Sequence, residues 1–164
     1  MRAQSCCFTG HRELPQEAGQ IASRVERELF RLIHQGVRHF LCGGAIGFDL
    51  LCGQQVLKLK ERFPSITLHM VLPYPDQAQR YTKPQKEVYT ALLEQADEIV
   101  YMGAHYTRGC MHRRNRYMVE HSAYAIVYCI REEGGSYYTA CYAQKKHLNI
   151  IPVAQEDVAK TAFV

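Results

Sequence analysis

The sequence has no apolar run long enough to cross a bilayer. Its longest nearly unbroken one, Ala123 to Ile130, falls far short of the roughly 20 residues that a spanning helix needs. It has no secretory h-region or cleavage site, because Met1-Arg2-Ala3-Gln4-Ser5 leads straight into a strand-like run. A cytoplasmic location with no membrane partner is the expectation. No Cys-x-x-Cys occurs, and the seven cysteines are an odd number at spacings that suit neither a disulfide framework nor a zinc site. Cys6, Cys7, Cys42, Cys129 and Cys141 lie in or beside apolar runs, where a reduced thiol acts as a small hydrophobe. Cys110-x-His112 with His121 lacks the second half of a ligand set, so no metal is expected. Repeats, low-complexity tracts and linkers are also missing, which makes residues 1–164 one domain. A large excess of one charge is missing: the net +4 permits an anionic partner without demanding one.

What is present is a core and an alternation. Hydrophobic residues make up 47% of the 164, enough to exclude a disordered chain. Short β-type runs alternate with longer helical ones, the signature of a mostly parallel sheet with crossover helices on both faces. The strands are read at Ser5 to Phe8, Val37 to Cys42, Ile66 to Leu72, Glu98 to Tyr101, Tyr124 to Ile130 and Leu148 to Val153. Ala18, Ile21, Ala22, Val25, Leu29, Leu32 and Ile33 recur at helical spacing until Gly36. Phe48, Leu51, Cys52, Val56 and Leu59 make a second stripe, and further helices are read at Pro84 to Ala96, Asn115 to Ser122 and Gly135 to Lys146. The fold class is therefore α/β, a three-layer Rossmann-like domain.

Ligands of open parallel sheets sit beyond the carboxyl ends of the strands. Thr9-Gly10-His11-Arg12 follows the first strand, and Gly43-Gly44-Ala45-Ile46-Gly47-Phe48-Asp49 the second. After the fourth come Arg108, His112, Arg113, Arg114 and Arg116, and after the fifth Gly134-Gly135-Ser136 and Thr139. Small residues, hydroxyls and cations thus gather on one edge. Glycines let backbone N–H groups approach an anion, and the following helix aims its positive end at the same point. The same glycines also suit any tight β–α turn. Asp49 reads either as a dipole-favouring residue, as an acceptor for a ribose hydroxyl, or as an orienter of the glycine loop. Ser136 can cap the helix whose third position is Thr139. Arg113, Arg114 and Arg116 cannot share one helical face, so at most two reach the crevice. Tyr74 and Tyr106 are candidates for stacking on a base. The full Gly-x-Gly-x-x-Gly dinucleotide pattern is absent after the first strand.

The run Arg113-Arg114-Asn115-Arg116-Tyr117-Met118-Val119, the strand after it, and Gly135-Ser136-Tyr137-Tyr138-Thr139-Ala140 resemble the second half of the DprA Rossmann domain. Gly43-x-Ala45-x-Gly47-x-Asp49 is similar to that family's other glycine motif. With Phe8-Thr9-Gly10-His11-Arg12 and Leu72-Pro73-Tyr74, nearly the whole chain resembles the YpsA/YspA-like branch of the SLOG superfamily, which also holds DprA and the LOG phosphoribohydrolases. The resemblance implies a Rossmann-like domain that binds a nucleotide or nucleotide-derived ligand of AMP, ADP-ribose or NAD-derivative type. It implies phosphate contacts from Thr9, Gly10, His11, Arg12, Gly43, Gly44, Gly47, Arg113, Arg116, Gly134, Gly135, Ser136 and Thr139. Asp49 and Asn115 would order loops or touch the sugar.

The LOG hydrolase pattern Pro-Gly-Gly-x-Gly-Thr-x-x-Glu is not kept. Here the segment is Glu133-Gly134-Gly135-Ser136-Tyr137-Tyr138-Thr139, and Tyr142 stands where the glutamate belongs. A phenol of pKa about 10 is a poor general base at neutral pH. Binding or sensing of the ligand therefore ranks first. Turnover would fall to Glu120 or Asp49. Single-stranded DNA binding, which the DprA likeness implies, ranks lower on the weak net charge. No motif requires a cofactor, so a bound nucleotide is the one small molecule expected, and the superfamily habit adds a homodimer.

Overall fold

The computed structural model describes residues 1–154. After a short 3₁₀ turn at Arg2–Gln4, the strands are β1 (Ser5–Gly10), β2 (His39–Cys42), β3 (Thr67–Leu72), β4 (Glu98–Tyr101), β5 (Tyr124–Tyr128) and β6 (Asn149–Pro152). The helices are α1 (Ala18–His34), α2 (Phe48–Lys60), α3 (Lys83–Gln95), α4 (Cys110–Glu120) and α5 (Gly134–Lys145). Elements and order match the sequence reading. No described helix is long and apolar enough to cross a membrane.

All strand pairs are parallel, in the order β4-β3-β2-β1-β5-β6. The chain steps outward from β1 to β4, then crosses back to place β5 against the far side of β1. Crossovers of one hand that run in opposite directions leave their helices on opposite faces. Accordingly α1, α2 and α3 pack with Phe8, Phe40, Met70 and Leu72, while α4 and α5 pack with Cys7, Leu41, Val71 and Val127. Alternate residues of β1 serve the two cores, Cys6 and Phe8 one and Cys7 the other, which is why the strands read as nearly continuous apolar runs. The cysteines are all free, and only Cys141 is not fully buried.

Two helix starts differ from the sequence reading. Helix α4 begins at Cys110, not Asn115, because its buried face is Cys110, Arg114 and Met118, and a charged residue in mid-stripe hides the period. Helix α5 begins at Gly134, so Glu133 holds the N-cap position and Ser136 lies inside the first turn. Helix α3 starts with the capping box Thr82/Gln85, in which Thr82 N–H donates to Gln85 Oε1 at 2.9 Å.

Candidate functional site

Strand order reverses between β1 and β5, and beyond their carboxyl ends lies a cleft of about 1020 Å³. Three segments wall it: Thr9 to Glu13 at the end of β1, Arg108 to His112 with Arg114 and Asn115 at the start of α4, and Arg131 with Glu133 to Ser136 between β5 and α5. Ala45 and Asp49 close its floor. A second cavity of about 680 Å³ adjoins it and shares Arg12, Tyr106 and Met111. That lobe carries Tyr74, Tyr81, Gln77 and Arg80, and the rings of Tyr74 and Tyr106 meet edge to face at 5.8 Å.

Two helices open their N-terminal ends onto the cleft. Glu133 and Gly109 stand at the N-caps of α5 and α4, and neither helix has a side-chain cap; the Cys110 amide of α4 donates to the Thr107 carbonyl at 3.1 Å, so α4 offers the amides that follow it and α5 its first turn. Helix α2 does not do this. Its first amide, Phe48 N–H, donates to the His11 carbonyl at 3.1 Å, so that end closes on the protein's own backbone. Gly43, Gly44 and Gly47 accordingly lie outside the cleft wall, which corrects their reading as direct phosphate contacts. Their role is to let segments touch. A Cβ on Gly43 would stand 2.7 Å from Asp49 Oδ2 and 2.8 Å from Arg114 Nη1.

Those two side chains form the buried polar centre beneath the cleft. The Arg114 guanidinium is 3% exposed and donates to the Gly43 carbonyl, to Gln77 Oε1 at 3.1 Å and to Asn115 Oδ1 at 2.8 Å. Asp49 accepts from Ala45 N–H at 3.3 Å, a bond that ties the first turn of α2 to the glycine loop. Burial pushes the Asp49 carboxyl up to about 6, opposed chiefly by the Arg114 charge. Gln77 also donates to the Gly43 carbonyl at 3.1 Å, and Tyr81 OH donates to the Gly44 carbonyl at 3.0 Å. The loop is thus held from both sides.

The arginines distribute otherwise than the motif suggests. Arg113 turns to the Arg108 carbonyl at 3.1 Å and to Thr107. Arg116 bonds the Tyr138 hydroxyl and lies over the Tyr138 and Tyr142 rings, on the outer face shared by α4 and α5. Neither lines the cleft. Arg114, passed over in the sequence, is the member of the cluster that α4 turns inward. Thr139 spends its hydroxyl on the Gly135 carbonyl at 2.9 Å and is buried. Glu120 accepts from Tyr142 OH at 2.5 Å on that same outer face, which removes it from any cleft chemistry. Arg12, Arg108 and Arg131 line the cleft instead, together with Glu13 and Glu133. Arg131 lies three residues beyond β5, so the strand order would have singled it out. Among the described residues no three His, Cys, Asp or Glu side chains gather as a metal set.

His11, 5% exposed, accepts from Ile130 N–H through Nε2 at 2.9 Å and meets the Tyr128 ring edge-on at 5.5 Å. Burial, then the Arg131 charge, lowers its pKa. Arg116→Ala is therefore expected to leave affinity for any cleft ligand within about twofold of wild type, a control that calorimetry can check.

The family model described as the YspA SLOG family matches residues 7–155. Among curated relatives, a UPF0398 protein of Bacillus pumilus is 28% identical over 102 residues, 61% of this chain and 55% of its own length. One of Halalkalibacterium halodurans is 30% identical over 71% of this chain and 62% of its own. The UPF0398 protein YpsA of Bacillus subtilis is 23% identical over 77% and 72% respectively. Among solved structures, DprA of Streptococcus pneumoniae superposes with TM-score 0.67 at 15% identity, over 92% of this chain and 50% of that one. DprA of Helicobacter pylori, described for its single-stranded DNA binding mode, gives 0.68 at 21% identity, over 92% and 65%. The chain thus spans between half and about seven tenths of these proteins, and the likeness to DprA is one of fold.

Proposed function

The chain belongs to the YspA SLOG family, and we propose that its cleft binds or senses a nucleotide or nucleotide-derived phosphate ligand without turning it over. The observation that carries this reading is the convergence of two uncapped helix starts, α4 and α5, with the guanidinium groups of Arg12, Arg108 and Arg131. Helix starts offer amides and a positive dipole end to phosphate oxygens, and arginines offer a bidentate fork. Thr9, Gly10, His11, Arg12, Asn115, Gly134, Gly135 and Ser136 form the contact set on this reading. Asp49 supports the floor rather than the chemistry. The adjoining lobe, with Tyr74, Tyr81 and Tyr106, offers faces for a base.

Calorimetry with AMP, ADP-ribose and adenosine tests it. Binding of AMP or ADP-ribose, with adenosine much weaker, is the expected result; no heat from either phosphate ligand would refute the reading. Arg12 makes no hydrogen bond or ion pair among the described residues and lines both cavities. Arg12→Ala is expected to weaken AMP about tenfold, roughly 1.4 kcal/mol. Long incubation of AMP followed by chromatography is expected to release no adenine. Release that disappears in Glu133→Gln would make the protein an enzyme, with Glu133 its carboxylate.

One observation supports a second reading. The fold neighbour from Helicobacter pylori is described for single-stranded DNA binding, and the two lobes together would admit more than one nucleotide. A strand held this way would lose affinity steeply with salt as phosphate contacts release counterions. A mononucleotide sensor would show a shallow salt dependence.

A further inference from the structure

The His11 ring uses its Nε2 within the protein. That atom accepts a hydrogen bond from a backbone amide, Ile130 N–H, at 2.9 Å. An amide can only donate, so Nε2 carries no proton, and the neutral ring keeps its proton on Nδ1. Nδ1 points at Arg131 Nη2, 3.4 Å away. A guanidinium can only donate as well. Two donors therefore face each other across a gap at the wall of the cleft, and neither satisfies the other. A ring this buried does not keep an N–H against a cation without an acceptor between them.

We infer that His11 Nδ1–H and Arg131 together hold one anionic oxygen, that of a phosphate monoester, at the mouth of β1 and β5. Two nitrogens 3.4 Å apart can each reach one oxygen at about 2.8 Å, the usual length of a charge-assisted bond. The amides at the start of α5, Gly134 to Ser136, line the same cleft and suit the remaining oxygens of the group. The site deepens the phosphate reading of the cleft and rests on it. It also gives the histidine a definite part: a neutral, pre-aimed donor and not a titrating one. Arg131 across the gap, Glu13 on its own loop and the edge of Tyr128 are what face the ring. Protonating Nε2 would break the Ile130 bond.

Imidazole nitrogen NMR of the labelled protein tests the first half without any ligand. Expected is the Nδ1–H tautomer, unchanged between pH 6 and 8; an Nε2–H tautomer, or ordinary titration across that range, overturns the inference. Titration with inorganic phosphate and with AMP tests the second half. Saturation with either should move the Nδ1-bound proton, and Arg131→Ala should weaken both at least tenfold. Arg131 is exposed, so the variant is expected to fold; Arg131→Lys, which keeps charge but not the fork, should recover only part. If phosphate moves Nδ1 and AMP does not bind, the oxygen site stands and the nucleotide reading falls. If AMP binds and Nδ1 stays unmoved, the reverse holds. If neither ligand reaches His11, both fall.

Discussion

Arg114→Ala is expected to destabilise the protein by about 3–5 kcal/mol, the cost of leaving a buried charge and its acceptors without a partner. The guanidinium holds the Gly43 carbonyl, Gln77 and Asn115 at once and is the strongest countercharge acting on Asp49. Its removal strips all of them together and leaves a cavity under the cleft floor. Urea unfolding should show a lower midpoint with an unchanged slope, and a loss below about 1 kcal/mol would mean that the guanidinium is not carrying the loop. Arg114→Lys should rescue little, since one ammonium cannot span acceptors spread around a planar fork. In a double-mutant cycle, Asp49→Asn combined with Arg114→Ala should cost less than the separate losses added together, because the neutral amide no longer needs the cation.

Asp49 also makes stability depend on pH. Its carboxyl is raised from 3.8 to about 6, so the folded state binds the proton more tightly than the unfolded chain does. The stability this contributes is fully present below about pH 4 and is lost as pH rises through 6. Relative to Asp49→Asn, the wild type should therefore lose roughly 3 kcal/mol between pH 4 and pH 7, at about 1.4 kcal/mol per unit. Parallel urea titrations of both proteins at the two pH values would show it. A constant difference would place the carboxylate in better contact with solvent or with Arg114 than its burial indicates.

The second large effect belongs to Gly47→Ala, with an expected cost of about 3 kcal/mol and loss of ligand binding. Gly47 has φ +79° and ψ −120°, a conformation that is open to glycine and strained for any other residue. A Cβ there would stand 2.3 Å from the Arg12 carbonyl oxygen and 2.7 Å from that of His11. Both obstacles are backbone, so no side-chain rotation relieves them. Relief would move the start of α2 away from the loop after β1 and break the Phe48–His11 bond. That loop carries His11 and Arg12 into the cleft, hence the coupled loss of binding. Gly135→Ala makes the contrast: nothing lies within 4 Å of its Cβ, so stability should hardly change while an anion is kept from the start of α5. A folded Gly47→Ala protein that bound AMP normally would refute the account of this loop.

Much of the site was legible as a location. Thr9 to Arg12, Asp49, Asn115 and Gly134 to Ser136 were placed at strand ends by pattern, and all line one cleft. The glycine turn after β2 misled because glycine serves close packing and anion binding equally well, and a sequence carries no sign of which. In α4, charge concealed the helix: the apolar stripe is interrupted by the one arginine that points inward. Arg116, by contrast, matched the motif and yet leans on Tyr138 and Tyr142.

The chain's own periodicities determined the parallel α/β domain, its order of elements and the edge on which chemistry gathers, because runs of two and 3.6 residues are local properties. The tertiary structure alone decided the partners. Strand order brought β5 beside β1 and so set Arg131 against His11, 120 positions apart. The crossover to the opposite face turned Arg114 inward and left Arg113 and Arg116 outside. Such choices depend on which surfaces meet and which charges lose their water, and those quantities exist only once the chain has closed on itself.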